Sequence, residues 1–295
     1  MAVASNDLDE LARRFEEHRR QLKSVAYRVL GSLSEADDAV QEAWIRLSRT
    51  DAATIDNLGA WLTTVVGRIC LNVLRARTAR REDVLDFAAS PDPVISYEDS
   101  ADPEREAELA DSVGLALMVV LGTLSPAERL SFVLHDMFAV PFEEIAPVLG
   151  KTPAATRQLA SRARRRVQGH APVPDPDLGR QREVVSAYFA AVRDGDFERL
   201  LTILHPDVVI RSTGGPARPA LNVMLSGART VAGQAVLFGQ FAPHARAALI
   251  NGAAGVVVVA NGRPVATMAF VVTDGLIVAI DVLADPARLT QLGVG

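Results

Sequence analysis

The sequence predicts a multidomain chain: two all-α domains, the second a helix-turn-helix, followed by an α+β domain. Three observations carry this. Apolar residues recur at helical spacing through residues 8–81 and again through 112–168. A short helix, a glycine and a basic helix follow one another over 142–168. Beyond a proline-rich stretch, Asn-Gly and Asp-Gly pairs separate β-rich runs, the signature of hairpins. The boundaries fall at 8–84, a linker at 85–111, 112–168, a hinge at 169–178 (GHAPVPDPDL) and 179–295.

In the first domain Leu22, Val25, Ala26 and Val29 follow helical spacing, and Gly31 fits a C-terminal stop. Ser34, three residues before Asp37, is the expected cap of the next helix. That helix places Ala36, Ala39, Val40, Ala43 and Leu47 inward, with Asp37, Asp38, Gln41 and Glu42 opposite. A third helix, about 58–77, buries Leu62, Val65, Val66, Ile69 and Val73 and presents Thr64, Arg68, Asn72 and Arg75. In the second domain Ser125-Pro126-Ala127-Glu128 is a capping box with proline at the first helical position. A short helix over Phe142–Leu149 ends at Gly150, with Pro147 inside it removing one backbone donor. Thr152 then caps the last helix, Pro153 opens it, and Ala155, Leu159, Ala163 and Val167 point inward. In the third domain a helix near 180–194 ends at Asp194-Gly195-Asp196, a short helix follows, and strands lie at Val256–Ala260, Val265–Thr273 and Leu276–Val282, read as an antiparallel sheet.

Composition narrows the class. The chain has 295 residues, 49% of them hydrophobic, enough for a core in each of two or three domains. The single cysteine, Cys70, lies on an apolar stripe and excludes an internal disulfide or a paired-thiol metal site. No stretch approaches the roughly 20 apolar residues that span a bilayer, and the start MAVASNDLDE lacks the marks of a signal peptide. The expectation is a cytoplasmic protein with no membrane contact, no metal and no cofactor.

The net charge is −5, but its distribution matters more than its sum. Arg68, Arg75, Arg77, Arg80 and Arg81 form one block without acids, and Lys151, Arg157, Arg162, Arg164, Arg165 and Arg166 form another. Between them, residues 82–111 are acidic with Arg105 the sole base. Two basic surfaces joined by an anionic linker are the footprint of a nucleic-acid-binding chain.

These residues support a resemblance. Asp37-Asp38-Ala39-Val40-Gln41-Glu42-Ala43-Trp44 resembles the segment of sigma-70-type factors that docks on RNA polymerase; Ala60-Trp61-Leu62-Thr63-Thr64-Val65-Val66 with Arg68 and Asn72 resembles the helix that melts and reads the −10 element; and Leu124 through Arg166 resembles the region that reads the −35 element. Two such domains with a short linker resemble the extracytoplasmic-function (ECF) group. The C-terminal part resembles a SnoaL-like, NTF2-like cone, carried by Val184–Val192, Asp194-Gly195-Asp196 and His205-Pro206-Asp207-Val208-Val209. ECF factors with this fused domain form the ECF41-like subgroup, in which the extension is thought to act in cis. Thr213-Gly214-Gly215-Pro216-Ala217-Arg218 and Ala284-Asp285-Pro286-Ala287-Arg288-Leu289 are degraded counterparts of that subgroup's two extension motifs. Its Trp-Leu-Pro linker motif is absent, Asp86-Phe87 and Pro91-Asp92-Pro93-Val94 being the nearest remnant.

The resemblance implies a promoter-specificity subunit that binds core RNA polymerase, at the β′ clamp helices and β flap, and promoter DNA. Asp37, Asp38, Gln41, Glu42 and Trp44 are the polymerase-docking residues it implies. Trp61, Thr64, Arg68, Asn72, Arg75, Arg77, Arg80 and Arg81 are those for the −10 element, Trp61 either stacking on bases or anchoring the core. For the −35 element they are Lys151, Thr152, Thr156, Arg157, Gln158, Ser161, Arg162, Arg164, Arg165 and Arg166, with Arg157 and Gln158 reading bases and Arg164, Arg165 and Arg166 touching phosphate. Gly214, Gly215, Arg218, Asp285, Pro286 and Leu289 are the regulatory residues, acting through an intramolecular contact between the C-terminal and helical domains. The acids Asp99, Asp102, Glu104, Glu106 and Glu108 are expected either to follow the polymerase RNA-exit path or to form a solvated tether.

His205, Asp207, His244 and Asp281 are the groups available for acid–base work in the cone, and structural roles are expected for them. The cone can hold a small-molecule ligand, which no residue identifies. Two other readings stay open: a ligand-responsive helix-turn-helix regulator acting without polymerase, and a SnoaL-type enzyme fused to a DNA-binding module.

Overall fold

The structure, a computed structural model, describes residues 2–51, 54–80, 90–97, 114–170 and 174–293. Arg81, Asp86-Phe87, the side chain of Arg80 and the linker acids Asp99, Asp102, Glu104, Glu106 and Glu108 lie outside the described residues. The chain forms two compact units, residues 1–86 with 120–170, and residues 87–119 with 171–295.

The first unit is helical. Helices α1 (Ala2–Leu30), α2 (Leu33–Leu47) and α3 (Leu58–Arg80) pack through Phe15, Leu22, Val25 and Val29 of α1, Ala36, Ala39, Val40, Ala43 and Leu47 of α2, and Leu62, Val66 and Cys70 of α3, all buried. Gly31, at φ 75°, ends α1 in the left-handed region that glycine enters without steric cost. Ser32, not Ser34, caps α2: its side chain accepts from the Glu35 N–H. An extended Ser32 places its oxygen over the third amide of the helix, whereas Ser34 already lies inside it.

The remaining helices of this unit complete the helix-turn-helix. The capping box opens α5 (Pro126–Phe132), preceded by α4 (Leu115–Gly122), of which only residues 120–122 belong to this unit, and the chain runs on through a π-helical turn at Val133–Met137. Helix α6 (Phe142–Leu149) accommodates Pro147 on its solvent side and ends at Gly150, φ 65°. Helix α7 (Pro153–His170) follows, its start fixed by Thr152 Oγ1 accepting from the Ala155 N–H at 3.2 Å. The inward face of α7 is rotated from the expected one: Thr156, Ala160 and Ala163 are buried, while Ala155, Leu159 and Val167 are half-buried.

The sequence reads the two helical domains as separate, but they share one interior. A Cβ on Gly67 of α3 would lie 3.5 Å from Leu134 and 3.8 Å from Leu130 and Val148. Buried Arg129 donates to the Arg28 carbonyl at 3.2 and 3.3 Å, and the Arg28 guanidinium lies 4.7 Å from the centre of the Phe138 ring.

Among the described residues, the second unit is a seven-stranded sheet with helices on its inner face. The strands are β1 (Ile95–Ser96), β2 (Leu204–Thr213), β3 (Val223–Ser226), β4 (Ala245–Ile250), β5 (Ala253–Ala260), β6 (Arg263–Thr273) and β7 (Leu276–Leu283), in spatial order β1-β4-β5-β6-β7-β2-β3. Three two-residue turns, Asn251-Gly252, Asn261-Gly262 and Asp274-Gly275, have both residues at positive φ and join β4 to β7 as successive hairpins. The sheet is mixed, not antiparallel throughout, because β2 pairs with β7 in parallel. Helices α8 (Leu178–Asp194), α9 (Phe197–Ile203) and α10 (Ala228–Leu237) cover the inner face, where Tyr188, Leu200, Val208, Val231, Val256, Phe270 and Ile280 form the core. Helix α11 (Pro286–Gln291) follows β7.

Two segments expected to be tethers belong to this unit. The linker residues Ile95 and Ser96 pair with Ile250 and Leu249 as an added edge strand. Asn251 fastens the preceding residue: its N–H donates to the Val94 carbonyl at 2.8 Å, and its Oδ1 accepts from the Val94 N–H at 3.0 Å. On the outer face of the sheet, Leu115 packs with Ile250 and Ala269, and Ala116 with Val271 and Ala279. The expected hinge is tied down at Asp175, whose N–H donates to the Val272 carbonyl and whose carboxylate accepts from the Asp274 and Gly275 N–H groups at 3.2 and 3.1 Å.

Candidate nucleic-acid interface and regulatory site

The outward face of α2 carries Asp37, Asp38 and Gln41 in solvent and Glu42 half-exposed. Asp37 meets Lys23 at 2.9 Å and Glu42 meets Arg46 at 2.9 Å, exposed pairs of small energetic weight that water or a partner can replace. Trp44 does not share this face. It is half-buried against Phe15, ring centres 5.2 Å apart, and joins α2 to α1.

On α3, Arg68, Asn72 and Arg75 are exposed and Thr64 and Trp61 half-buried, one side of the helix holding the expected polar row. Arg77 departs from it. Its guanidinium donates to the Leu30 carbonyl at 2.9 Å and pairs with Glu35, so it ties α3 to the α1–α2 corner. Cys70 is buried in the same helix, and burial pushes its thiol up to about 12.

On α7, Gln158, Ser161, Arg162 and Arg165 are exposed, as are Lys151 and Thr152 ahead of it. Arg157 is exposed and lies 5.3 Å from the Phe142 ring centre, a cation–π contact that orients it at the start of the helix. Thr156 must be removed from the surface set: its side chain is buried and its hydroxyl donates to the Thr152 carbonyl at 3.0 Å. Of the three expected phosphate contacts, Arg164 is held by Asp136 and Arg166 meets Glu128 at 3.4 Å. Arg162 and Arg165 make no ion pair among the described residues.

The C-terminal unit brings the two degraded motifs together. The loop after β2 folds against the segment after β7: a Cβ on Gly215, at φ 64°, would lie 2.1 Å from the Asp285 carboxylate, and one on Gly214 2.2 Å from the Arg218 carbonyl. Asn222 Oδ1 accepts from the N–H groups of Gly214 and Gly215 at 2.8 and 3.1 Å. Arg218 Nη1 donates to the carbonyls of Val265 and Ala284 at 3.0 and 3.2 Å. Asp285 caps α11, Pro286 opens it and Leu289 anchors it in the interior. From α11, Arg288 reaches the linker, donating to Asp92 Oδ1 at 2.6 and 3.0 Å and to the Ser90 carbonyl at 2.8 Å. Arg288 and Asn222 were not among the expected regulatory residues. Arg288 stands inside the second motif, so its charge was a visible signal, but no local pattern points to Asp92.

Behind this joint lies a cavity of about 330 Å³ between the sheet and α8 and α10. Its walls include Val192, Ile210, Phe241 and Met268, with Tyr188, Ser212, Arg218 and Gln234 as the polar groups. Burial pushes the Tyr188 phenol above its ordinary value, so it remains a neutral hydroxyl. The four acid–base groups considered from sequence lie elsewhere. His205 Nδ1 accepts from the Asp207 N–H at 3.1 Å, Asp207 and His244 are exposed, and Asp281 is paired with Arg211 at 2.7 Å. Among the described residues no cluster of three or more His, Cys, Asp or Glu could hold a metal ion, and no helix is long and apolar enough to cross a membrane.

Comparison with known proteins agrees with this layout. Residues 14–80 match the family Sigma-70 region 2 and residues 114–167 match Sigma-70, region 4. The ECF RNA polymerase sigma factor SigJ of Mycobacterium tuberculosis (strain H37Rv) is 39% identical over 94% of this chain and 92% of that protein. The probable ECF RNA polymerase sigma factor SigI of M. tuberculosis (strain CDC 1551) is 34% identical over 96% of each. The crystal structure of M. tuberculosis SigJ superposes with a TM-score of 0.73 at 35% identity, covering 95% of this chain and 98% of that one. Two helical regions in sigma order, a fused α+β domain, and relatives that match along nearly the whole length place the chain plainly: it belongs to the extracytoplasmic-function sigma factors, which bind core RNA polymerase and promoter DNA to initiate transcription.

Proposed function

We propose that this sigma factor docks on the β′ clamp helices through Asp37, Asp38, Gln41 and Glu42, reads the −10 element with α3 and the −35 element with α7, and is modulated in cis by its C-terminal domain. On α3 the DNA-facing groups are Thr64, Arg68, Asn72 and Arg75. On α7, Arg157, Gln158 and Ser161 face bases, while Lys151, Arg162 and Arg165 contact phosphate. Region 4 sits at the β flap. The cone acts by binding, not catalysis: none of His205, Asp207, His244 and Asp281 lines its cavity.

One observation carries the cis reading. The C-terminal domain holds the chain between the two reading regions at both ends, through Arg288 on Asp92 and Ser90, β1 on β4, and Leu115 and Ala116 on the outer sheet face. A sigma factor spreads its two regions over distant promoter elements, so whatever holds the connecting segment sets how readily they separate. The test is run-off transcription and polymerase affinity of the full chain, its Arg288→Ala variant and a chain ending after Gln168. Modulation in cis requires the variants to differ from the full chain in at least one readout; identical values in both would exclude it.

A further inference from the structure

The cavity of the C-terminal domain contains one group out of keeping with its apolar walls, and that group identifies what fits there. Arg218 is part-buried at the cavity wall, and no carboxylate faces it among the described residues. Its recorded partners, the carbonyls of Val265 and Ala284, are both met by Nη1. In the same domain Arg211 and Arg288 each lie against a carboxylate. A part-buried guanidinium facing neutral carbonyls alone keeps its charge uncompensated, an arrangement that favours an incoming anion. The Tyr188 hydroxyl and Ser212 make no side-chain hydrogen bond among the described residues, and both line the same space. Phe238, 40% exposed, and Phe241 stack at 6.3 Å along the wall, giving an apolar entrance for an apolar body.

We propose that the cavity is a binding site for a small amphipathic anion, an apolar body with a single carboxylate held by Arg218. A volume of 330 Å³ is at the lower end for ligand pockets and suits about a dozen non-hydrogen atoms. Its placement makes the site a sensor under the cis reading above, on which only this consequence rests. Arg218 also holds the Ala284 carbonyl, the next residue caps α11, and α11 carries the arginine that grips the linker.

Decanoate, decanol and decylamine share one chain and differ in the head group. Calorimetric titration of the full-length protein near neutral pH is expected to give saturable binding of decanoate, and binding of decanol and decylamine weaker by at least about tenfold. Arg218→Gln abolishes that preference while leaving decanol binding in place, and Arg218→Lys restores part of it. Ala266→Phe, which fills the cavity from β6, removes binding of all three with the thermal transition retained. Should Arg218→Gln fail to fold, the preference of the native chain and the Ala266→Phe variant carry the test. Absence of saturable binding, equal affinity for decanoate and decanol, tighter binding of decylamine, or an unchanged preference in a folded Arg218→Gln would each overturn the site. Decanoate binding with no change in run-off transcription would support the site and count against modulation in cis.

Discussion

Arg162 and Arg165 on α7 stand in solvent with no ion pair among the described residues, whereas Arg211 and Arg288 of the C-terminal unit lie across carboxylates in part-buried pairs. The residue type is the same and the use is opposite. An arginine in water keeps its charge available to phosphate, at the cost of being weakly positioned. An arginine sealed against an aspartate is spent on architecture, and removing either partner leaves an uncompensated charge. Arg164 and Arg166 show the same division within α7, since Asp136 and Glu128 already hold them. Charge blocks in a sequence therefore locate a surface, and tertiary partners decide which of its members are free.

The comparison can be broken most strongly at the linker clamp. Asp92→Ala strands Arg288 in a site where its Nη1 is already buried without a partner among the described residues. The loss is on the order of 3 kcal/mol of linker docking. Amide exchange at Val94–Ser96 should quicken by about a hundredfold, with helical-unit amides as the internal control. Unchanged exchange there would show that the pair does not hold the segment.

The next effect is at Gly215. Alanine there meets both the left-handed backbone and the Asp285 carboxylate, and about 2 kcal/mol of domain stability should be lost in urea unfolding. Gly262→Ala, also at positive φ but with open space around it, should cost only about 1 kcal/mol. Equal losses at the two glycines would remove the case for a joint between the motifs.

On the free-charge side, Arg162→Ala and Arg165→Ala should each weaken promoter binding by the polymerase complex and lower its salt slope by about one. Arg164→Ala should change the slope less, because that charge is already paired. A larger effect at Arg164 would reverse the assignment.

The smallest effect concerns Cys70. Burial raises its thiol from 9.0 to about 12, so the native chain should resist iodoacetamide at mildly alkaline pH and react only on unfolding. The folded state favours the protonated thiol over the thiolate and is stabilised accordingly. Its contribution is complete below pH 9 and is lost as the pH rises toward 12. Rapid alkylation of the folded protein would contradict this.

Much of the helical unit was legible because its signals are local. Caps, glycine stops and 3.6-residue periodicity act within one turn, and Ser125, Glu128, Gly150 and Thr152 do what their spacing implies. Ser32 and Ser34 stand two residues apart and either has the side chain to cap, so the local pattern does not separate them. Thr156 turns inward because Thr156 and Ala160, not Ala155 and Leu159, form the buried face of α7, and a shift of one residue turns a helix by about 100°. In the C-terminal unit the Asn261-Gly262 and Asp274-Gly275 turns were legible for the same local reason. Asn251-Gly252 marks the end of β4 in the same way, whereas the short strand β3 and the parallel pairing of β2 with β7 have no such marker.

The sequence by itself determined the helical regions and their order, the two basic surfaces, the acidic face of α2 and the hairpins of the sheet. All of these depend on residues within a few positions of one another. Only the tertiary structure decided that the helical regions share an interior, that Ile95 and Ser96 of the linker become an edge strand, and that an apolar cavity holds an arginine with no carboxylate against it among the described residues. Arg288 and Asp92 are 196 positions apart. A contact at that separation is chosen by the folding of everything between, through shape and burial that no short pattern encodes.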